Sequence, residues 1–385
     1  MNRTFTASSG NIVPARSEGL YRRQQSKTAD PQEAPPVRIR PALAAATAAL
    51  AAATCLTATG PAQAHGPSRA CSPYARIDGF SDGLDKTTFQ GAFVGNLSAL
   101  AVDRDGTVAA LSDRSQLFSL DVRKGPTAKP VRVVPLADEK GAELDSEALV
   151  VDRDGTRLIT SETEPSVRRY DASGKLLGRL PVPDALRVAP AGRARPNLTF
   201  EGLALQPGGR TLIASMEGPL TGDGPDAAGH PLVRFQSWQR HGAGDFRLAR
   251  QYAYPVDAGL GVSEATATGD GRLLVLERGF TPGVGNTVRL YVADLRGASD
   301  VSDVPALPGT GVRPVRKTLV ADIGACPSLG ATAKQPQRNP LLDNIEGTAV
   351  LGRAPGGRLR LLLVSDDNQN PVQVTRLYAL TVRLP

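Results

Sequence analysis

One phrase recurs five times between Leu97 and Asp366, and no other feature limits the fold as tightly. Over 97–113 it reads Leu-Ser-Ala-Leu-Ala-Val-Asp-Arg-Asp-Gly-Thr-Val-Ala-Ala-Leu-Ser-Asp, and it returns in variant form over 145–162, 200–217, 262–277 and 345–366. Each copy is two short apolar runs joined by Asp-Gly or Gly-Gly, the chemistry of a tight hairpin turn that needs positive φ. Third strand-like runs follow at 166–170, 231–238 and 287–295, and fourth ones at 131–136, 175–181, 246–254 and 316–322. Four antiparallel strands per unit, recurring roughly every fifty to eighty residues, predict the blades of a β-propeller. With 40 Gly and 31 Pro the chain favours turns, and no segment has the pattern of a long helix. The expected fold is therefore all-β, with five blades, or six if one lies in the connections at 299–315 or 324–344. The last copy ends after three strands at 374–382, so the run at 74–80 is expected to supply its fourth strand and both chain ends to close the ring.

Residues 1–64 stand apart. Arg38 and Arg40 precede an Ala/Leu/Thr run over 42–56, and Ala62-Gln63-Ala64 offers a small-x-small cleavage site. This is the pattern of a secretory signal, with a mature chain from His65 that forms one propeller domain over 65–385 and is secreted. A start at Val37 would give the signal an ordinary length. As a membrane span the run is short and rich in weakly inserting Ala and Thr. Removing the leader takes seven of 45 basic and three of 38 acidic residues, so the mature chain carries a net +3 over 321 residues. No basic patch with interleaved aromatics remains, which argues against nucleic acid as a partner; a monomer acting on a small molecule is expected. Two cysteines survive, Cys71 and Cys326. In an oxidising exterior they are expected to pair and staple the N-terminal strand to the segment leading into the last blade; two separate buried thiols are the alternative.

The repeated acids carry the chemistry. Four copies open with glutamate, at Glu147, Glu201, Glu264 and Glu346, with Ala99 read at the equivalent place in the first. Every second strand closes on an acid: Asp113, Glu162, Glu217, Glu277 and Asp366. Folding a hairpin about its turn brings the two acids to the same end. If these strands line the axis, about nine carboxylates converge on one mouth. Two unit charges about 6 Å apart at an effective dielectric near 20 repel by roughly 2–3 kcal/mol, so protons or cations must sit among them. Oxygen ligands without His or Cys select a hard ion, Ca²⁺ first, with Mg²⁺ or Mn²⁺ behind it. The candidate metal ligands are Glu147, Glu201, Glu264, Glu346, Asp113, Glu162, Glu217 and Asp366. The candidate catalytic residues are Glu201, Glu264, Glu277 and Arg278, the arginine suited to clamp a phosphate or carboxylate, with Arg114 in the corresponding place after Asp113. A purely structural role, with the acids accepting backbone N–H bonds between blades, is the competing reading. Asp-Arg-Asp-Gly-Thr at 103–107 and 152–156 opens like an EF-hand, but Arg114 and Thr163 stand where the closing Glu belongs, so both read as hairpin turns. There is no Gly-x-Ser-x-Gly elbow, and His230 and His241 lie in a Gly-rich connection, which disfavours Ser-His-Asp hydrolysis.

Val94-Gly-Asn-Leu-Ser-Ala-Leu, Ser-Glu-Ala-Leu at 146–149, Phe-Glu-Gly-Leu at 200–203, Leu-Glu-Arg-Gly-Phe at 276–280 and Asn-Ile-Glu-Gly-Thr at 344–348 resemble the family named for the esterase-like activity of phytase. The resemblance spans roughly 91–384 and implies phosphoesterase or phosphodiesterase-type activity carried by the repeated Glu and Asp. The leading expectation is a secreted metal-dependent phosphoesterase. A lactonase or esterase-type propeller and a non-catalytic binding propeller with structural calcium are the alternatives.

Overall fold

A computed structural model describes residues 68–123, 125–242 and 244–385. The expected leader, cleavage site and mature start fall outside the described residues. The chain opens with β1 (Ala75–Ser81) and a small hairpin, β2 (Thr87–Phe89) and β3 (Ala92–Val94), that no repeat announced. Blade one is β4 (Leu97–Val102), β5 (Val108–Ser112), β6 (Gln116–Val122) and β7 (Ala128–Pro135). Blade two is β8 (Leu149–Val151), β9 (Arg157–Ser161), β10 (Ser166–Tyr170) and β11 (Leu176–Arg179). Blade three is β12 (Phe200–Leu205), β13 (Thr211–Met216), β14 (Leu232–Gln239) and β15 (Arg247–Pro255). Blade four is β16 (Gly261–Ala267), β17 (Leu273–Thr281), β18 (Gly285–Asp294) and β19 (Arg316–Asp322). The fifth sheet joins β20 (Asn344–Arg353), β21 (Leu359–Asp366) and β22 (Leu377–Val382) to β1 at its outer edge. All pairings within the blades are antiparallel, as in hairpin meanders.

The count is five. The connections 299–315 and 324–344 hold no sixth blade; Val301 and Leu307 of the first pack instead against Leu232 and Ala253 of blade three. Among the described residues helix is confined to three single 3₁₀ turns, and none is long and apolar enough to cross a membrane.

Alternation builds the core. Successive strand residues face opposite sides, so a strand between two neighbours serves both. In β17, Leu274 and Leu276 pack toward blade five while Leu273 and Val275 pack toward blade three. In β21, Leu361 and Leu363 face blade four and Leu362 and Val364 face blade one. This is why the middle strands are apolar without a break. The innermost strands touch in the cyclic order β4, β8, β12, β16, β20 and back to β4. Each begins at one end of the axis and turns at the other.

The turns do as their glycines require: Gly106 and Gly155 both have φ 86°. Their aspartates tie blades together instead of holding calcium. Asp103 of blade one pairs with Arg157 of blade two, and Asp152 of blade two takes both guanidinium nitrogens of Arg240 of blade three at 2.6 Å. Cys71 and Cys326 form a disulfide that links the approach to β1 with the 3₁₀ turn after β19, within the core between blades four and five.

Candidate functional site

At the end of the axis where the inner strands begin lies a cavity of ≈ 320 Å³. Eight carboxyls line it: Asp113, Asp145, Glu147, Glu162, Glu201, Glu217, Glu346 and Asp366, with Arg278 as the single cation. Ser98, Asn197 and Asn368 complete the wall. β-bulges aim three of the inner-strand side chains. In β12 the register steps from Phe200↔Met216 to Gly202↔Ser215, so Glu201 is the extra residue. Glu346 is the extra residue between Ile345↔Ser365 and Gly347↔Val364, and Ser98 the extra one between Leu97↔Ser112 and Ala99↔Leu111. Such bulges redirect a side chain at the cost of a local ladder bond. The first-blade equivalent of the glutamates is therefore Ser98, not Ala99. Glycine after the bulge lets the inner strands close up: a Cβ on Gly202 would stand 2.4 Å from the Ala265 nitrogen of the next blade.

Blade four departs from the expectation. Its bulge falls on Ser263, between Val262↔Glu277 and Glu264↔Leu276. Both strands are thus displaced by one residue relative to the other blades, and with a side-chain period of two a single step turns each residue away from its expected face. Glu264 does not join the acid cavity. Its Oε1 accepts from Ala265 N at 2.7 Å and Leu203 N at 3.4 Å, and it lines a different cavity toward the turn end. Glu277 also leaves: it is fully buried, accepting from Tyr254 Oη at 2.7 Å, Lys317 Nζ at 2.6 Å and Asp257 N at 2.9 Å. Arg278 takes the place that Asp113, Glu217 and Asp366 hold elsewhere. Its Nη2 lies 2.7 Å from Glu346 and 3.9 Å from Glu217. Arg114, by contrast, is exposed and lies outside the cavity, its Nε 3.6 Å from Asp113.

Spacing held a signal for this. Ser98 to Asp113, Glu147 to Glu162 and Ser263 to Arg278 are each 15 residues apart, whereas Glu264 to Glu277 is 13. Matching the spacing instead of the letters recovers the true equivalents. Asp145, Asn197 and Asn368 were not expected in the wall. They have φ of 50°, 53° and 46°, a left-handed conformation that Asp and Asn tolerate better than other side chains.

A family model described as phytase-like, esterase-like activity of phytase, matches residues 92–369. The chain belongs to the phytase-like family. No curated protein matches it. Solved structures similar to it include the PQQ-bound aldose sugar dehydrogenase of Streptomyces coelicolor, 14% identical over 82% of this chain and 100% of that one, with a TM-score of 0.38. Virginiamycin B lyase of Staphylococcus aureus is 10% identical over 77% and 83%, with a TM-score of 0.34. A Carbohydrate-Active Enzymes Family AA12 protein of Trichoderma reesei is 12% identical over 81% and 98%, with a TM-score of 0.35.

In this phytase-like propeller the acids cannot all be ionised together. Burial, partly offset by Arg114, pushes Asp113 up to about 7. Burial likewise takes Glu162 and Glu217 to about 7, against the Thr199 N–H in one case and Arg278 in the other. Burial and then the neighbouring charges hold Glu147 and Glu201 well above the carboxylate range. For Arg278 burial opposes the charge, but Glu346, Glu201 and Glu217 outweigh it and keep the guanidinium protonated. Two triads are tight enough to share a cation: Asp145, Glu147 and Glu162, and then Glu162, Glu201 and Glu217, each offering oxygens within 4.8 Å of one another. The donor set is all oxygen, and the buried Asp113 Oδ1 accepts no hydrogen bond. These residues fit a hard divalent cation.

Proposed function

We propose that the protein is a secreted, metal-dependent phosphoesterase or phosphodiesterase-type hydrolase that takes a small-molecule phosphoester at the acid-lined mouth. The observation that carries this reading is the meeting, in one cavity, of two carboxylate triads with a half-buried arginine whose Nε has no hydrogen-bond partner. Asp145, Glu147 and Glu162 would hold one cation, and Glu162, Glu201 and Glu217 a second, with calcium the favoured ion. A bound cation supplies charge neutralisation and Lewis-acid polarisation of a phosphoryl oxygen. Arg278 faces the triads from blade four and offers its unused N–H to an anionic oxygen of the substrate, orienting the ester across the mouth. Among the acids outside both triads, Glu346 is held by Arg278 and Asp366 accepts from Asn368 N at 2.8 Å. That leaves Asp113, titrating near 7, as the group matched to exchange a proton with attacking water at neutral pH. The Cys71–Cys326 bridge favours an oxidising exterior.

The test is a hydrolysis panel of a phosphate monoester, a phosphodiester and a simple lactone, each with and without chelator. Phosphoester turnover that chelation abolishes is the expected result. Lactone turnover alone would move the protein to a lactonase-type hydrolase, and calcium binding without turnover would make it a binding propeller.

A further inference from the structure

The axis has a second opening at the turn end of the inner strands, a cavity of ≈ 290 Å³ that the acid chemistry does not use. Each blade gives partly exposed aliphatic side chains to its wall, Val102, Val151, Leu205, Ala267 and Val350 among them, with Leu100, Leu149 and Leu203 packed behind in the inter-blade cores. Val102 at the lip is 43% exposed, an apolar surface that a closed core would have covered. Glu264 and Thr348 are also in the lining; burial raises Glu264 well above the usual carboxylate range against the backbone N–H groups it accepts from, and the buried Thr348 hydroxyl has no hydrogen-bond partner. The volume sits at the lower edge of the range for small-molecule sites, so it suits one chain and not a protein segment.

Guanidinium outnumbers free carboxylate at the rim. Of the turn aspartates, Asp103 is engaged by Arg157, Asp152 by Arg240 and Asp270 by Arg272, while Asp105 and Asp154 accept from Thr107 and Thr156 within their own turns. Among the described residues Arg104, Arg153, Arg210 and Arg353 pair with no carboxylate. Three of them reach over a neighbouring turn: a Cβ on Gly155 would lie 3.3 Å from Arg104, one on Gly209 3.3 Å from Arg153, and one on Gly269 3.5 Å from Arg353. Arg153 itself lines the cavity. An aliphatic socket with an unpaired guanidinium at its lip is complementary to a molecule with an apolar chain and one anionic head.

We propose that this turn-side mouth binds a single-chain aliphatic carboxylate, with the chain between the five inner strands and the carboxylate on Arg153. The site lies at the opposite end of the axis from the acids and does not depend on what they do. Isothermal titration of the full chain below micelle-forming concentrations would use decanoate, decanol and acetate as probes. Decanoate should bind one to one, about tenfold or more tighter than decanol, and acetate should not bind, since a hydrogen bond to a charged group contributes about 1.5–3 kcal/mol. Arg153→Gln should reduce decanoate to the affinity of decanol. Ala267→Phe, which fills the socket from its wall, should abolish both; Val102→Asp, a change at the exposed lip, should weaken decanoate without burdening the core. Arg278→Gln should leave decanoate binding unchanged. Absence of decanoate binding would overturn the proposal, as would equal affinity for decanol. Loss of binding in Arg278→Gln with retention in both Ala267→Phe and Val102→Asp would place the ligand at the acid mouth and overturn it as well.

Discussion

Raising the pH of the metal-free protein should destabilise it, the reverse of the usual behaviour of carboxylates held in salt bridges. Asp113, Glu162 and Glu217 titrate near 7 in the fold, against 3.8 or 4.5 for the free side chains. Between those values the folded state keeps protons that the unfolded chain has released, so stability is present at low pH and is lost as pH rises through about 7. For Asp113 alone the change from 3.8 to about 7, at about 1.4 kcal/mol per pH unit, is about 4 kcal/mol. The three groups repel one another, so their effects do not add, and one group's worth is the smallest fall expected. With an unfolding entropy of about 2.1 cal/mol/K per residue over the 318 residues from Ser68 to Pro385, about 4 kcal/mol corresponds to about 6 °C in Tm. Calorimetry in chelator at about pH 5 and about pH 8 measures the part of this loss above pH 5, about 2 pH units or about 3 kcal/mol, which is about 4 °C in Tm. Calcium at a hundredfold excess over its Kd should restore about 2.7 kcal/mol at the higher pH. Glu162→Gln should flatten the pH slope and remove most of the calcium response, because Glu162 belongs to both triads. A metal-free Tm that is unchanged or higher at pH 8 would refute the mutual burial of these acids.

Arg278→Gln should lower kcat/KM for a phosphodiester by about ten- to a hundredfold, the worth of a charge-assisted hydrogen bond, as steady-state kinetics would show. Glu264→Gln should leave the calcium-induced rise in Tm intact, since Glu264 faces the other end of the axis; a lost response would put it back among the ligands. Gly202→Ala should destabilise the fold by about 1–3 kcal/mol in denaturant titrations, because its methyl meets the Ala265 backbone. Reducing the Cys71–Cys326 bridge should cost about 2–4 kcal/mol, and the intact mass of the untreated protein should be two hydrogens below the reduced value.

The hairpins, the blades and the disulfide were legible because each depends on simple chemistry: a turn glycine, an unbroken apolar run, a single pair of cysteines after residue 64. The placement of Glu147, Glu201 and Glu346 in one cavity with Asp113, Glu162, Glu217 and Asp366 followed from the same hairpin logic. The failure at Glu264 and Glu277 has a different origin. Which face a strand residue takes is fixed by pairing with a partner strand, and a bulge one position along is invisible in composition. Asp145 and Asn368 escaped notice for a related reason, since they lie in irregular backbone before or after a strand where no period applies. The arginines of the turn end were hidden because their partners, or lack of them, come from other blades.

The displacement in blade four also shows how little separates one mouth chemistry from another. Leu273-Leu274-Val275-Leu276 is apolar on both faces, so sliding β17 by one position exchanges one aliphatic residue for another at each neighbouring blade. The interior scarcely registers the slip. At the strand's end, where Glu277 meets Arg278, the same slip reverses the sign of a charge. A one-residue change in the register of an inner hairpin is therefore equivalent to a charge substitution at the axis, made without altering the interior packing.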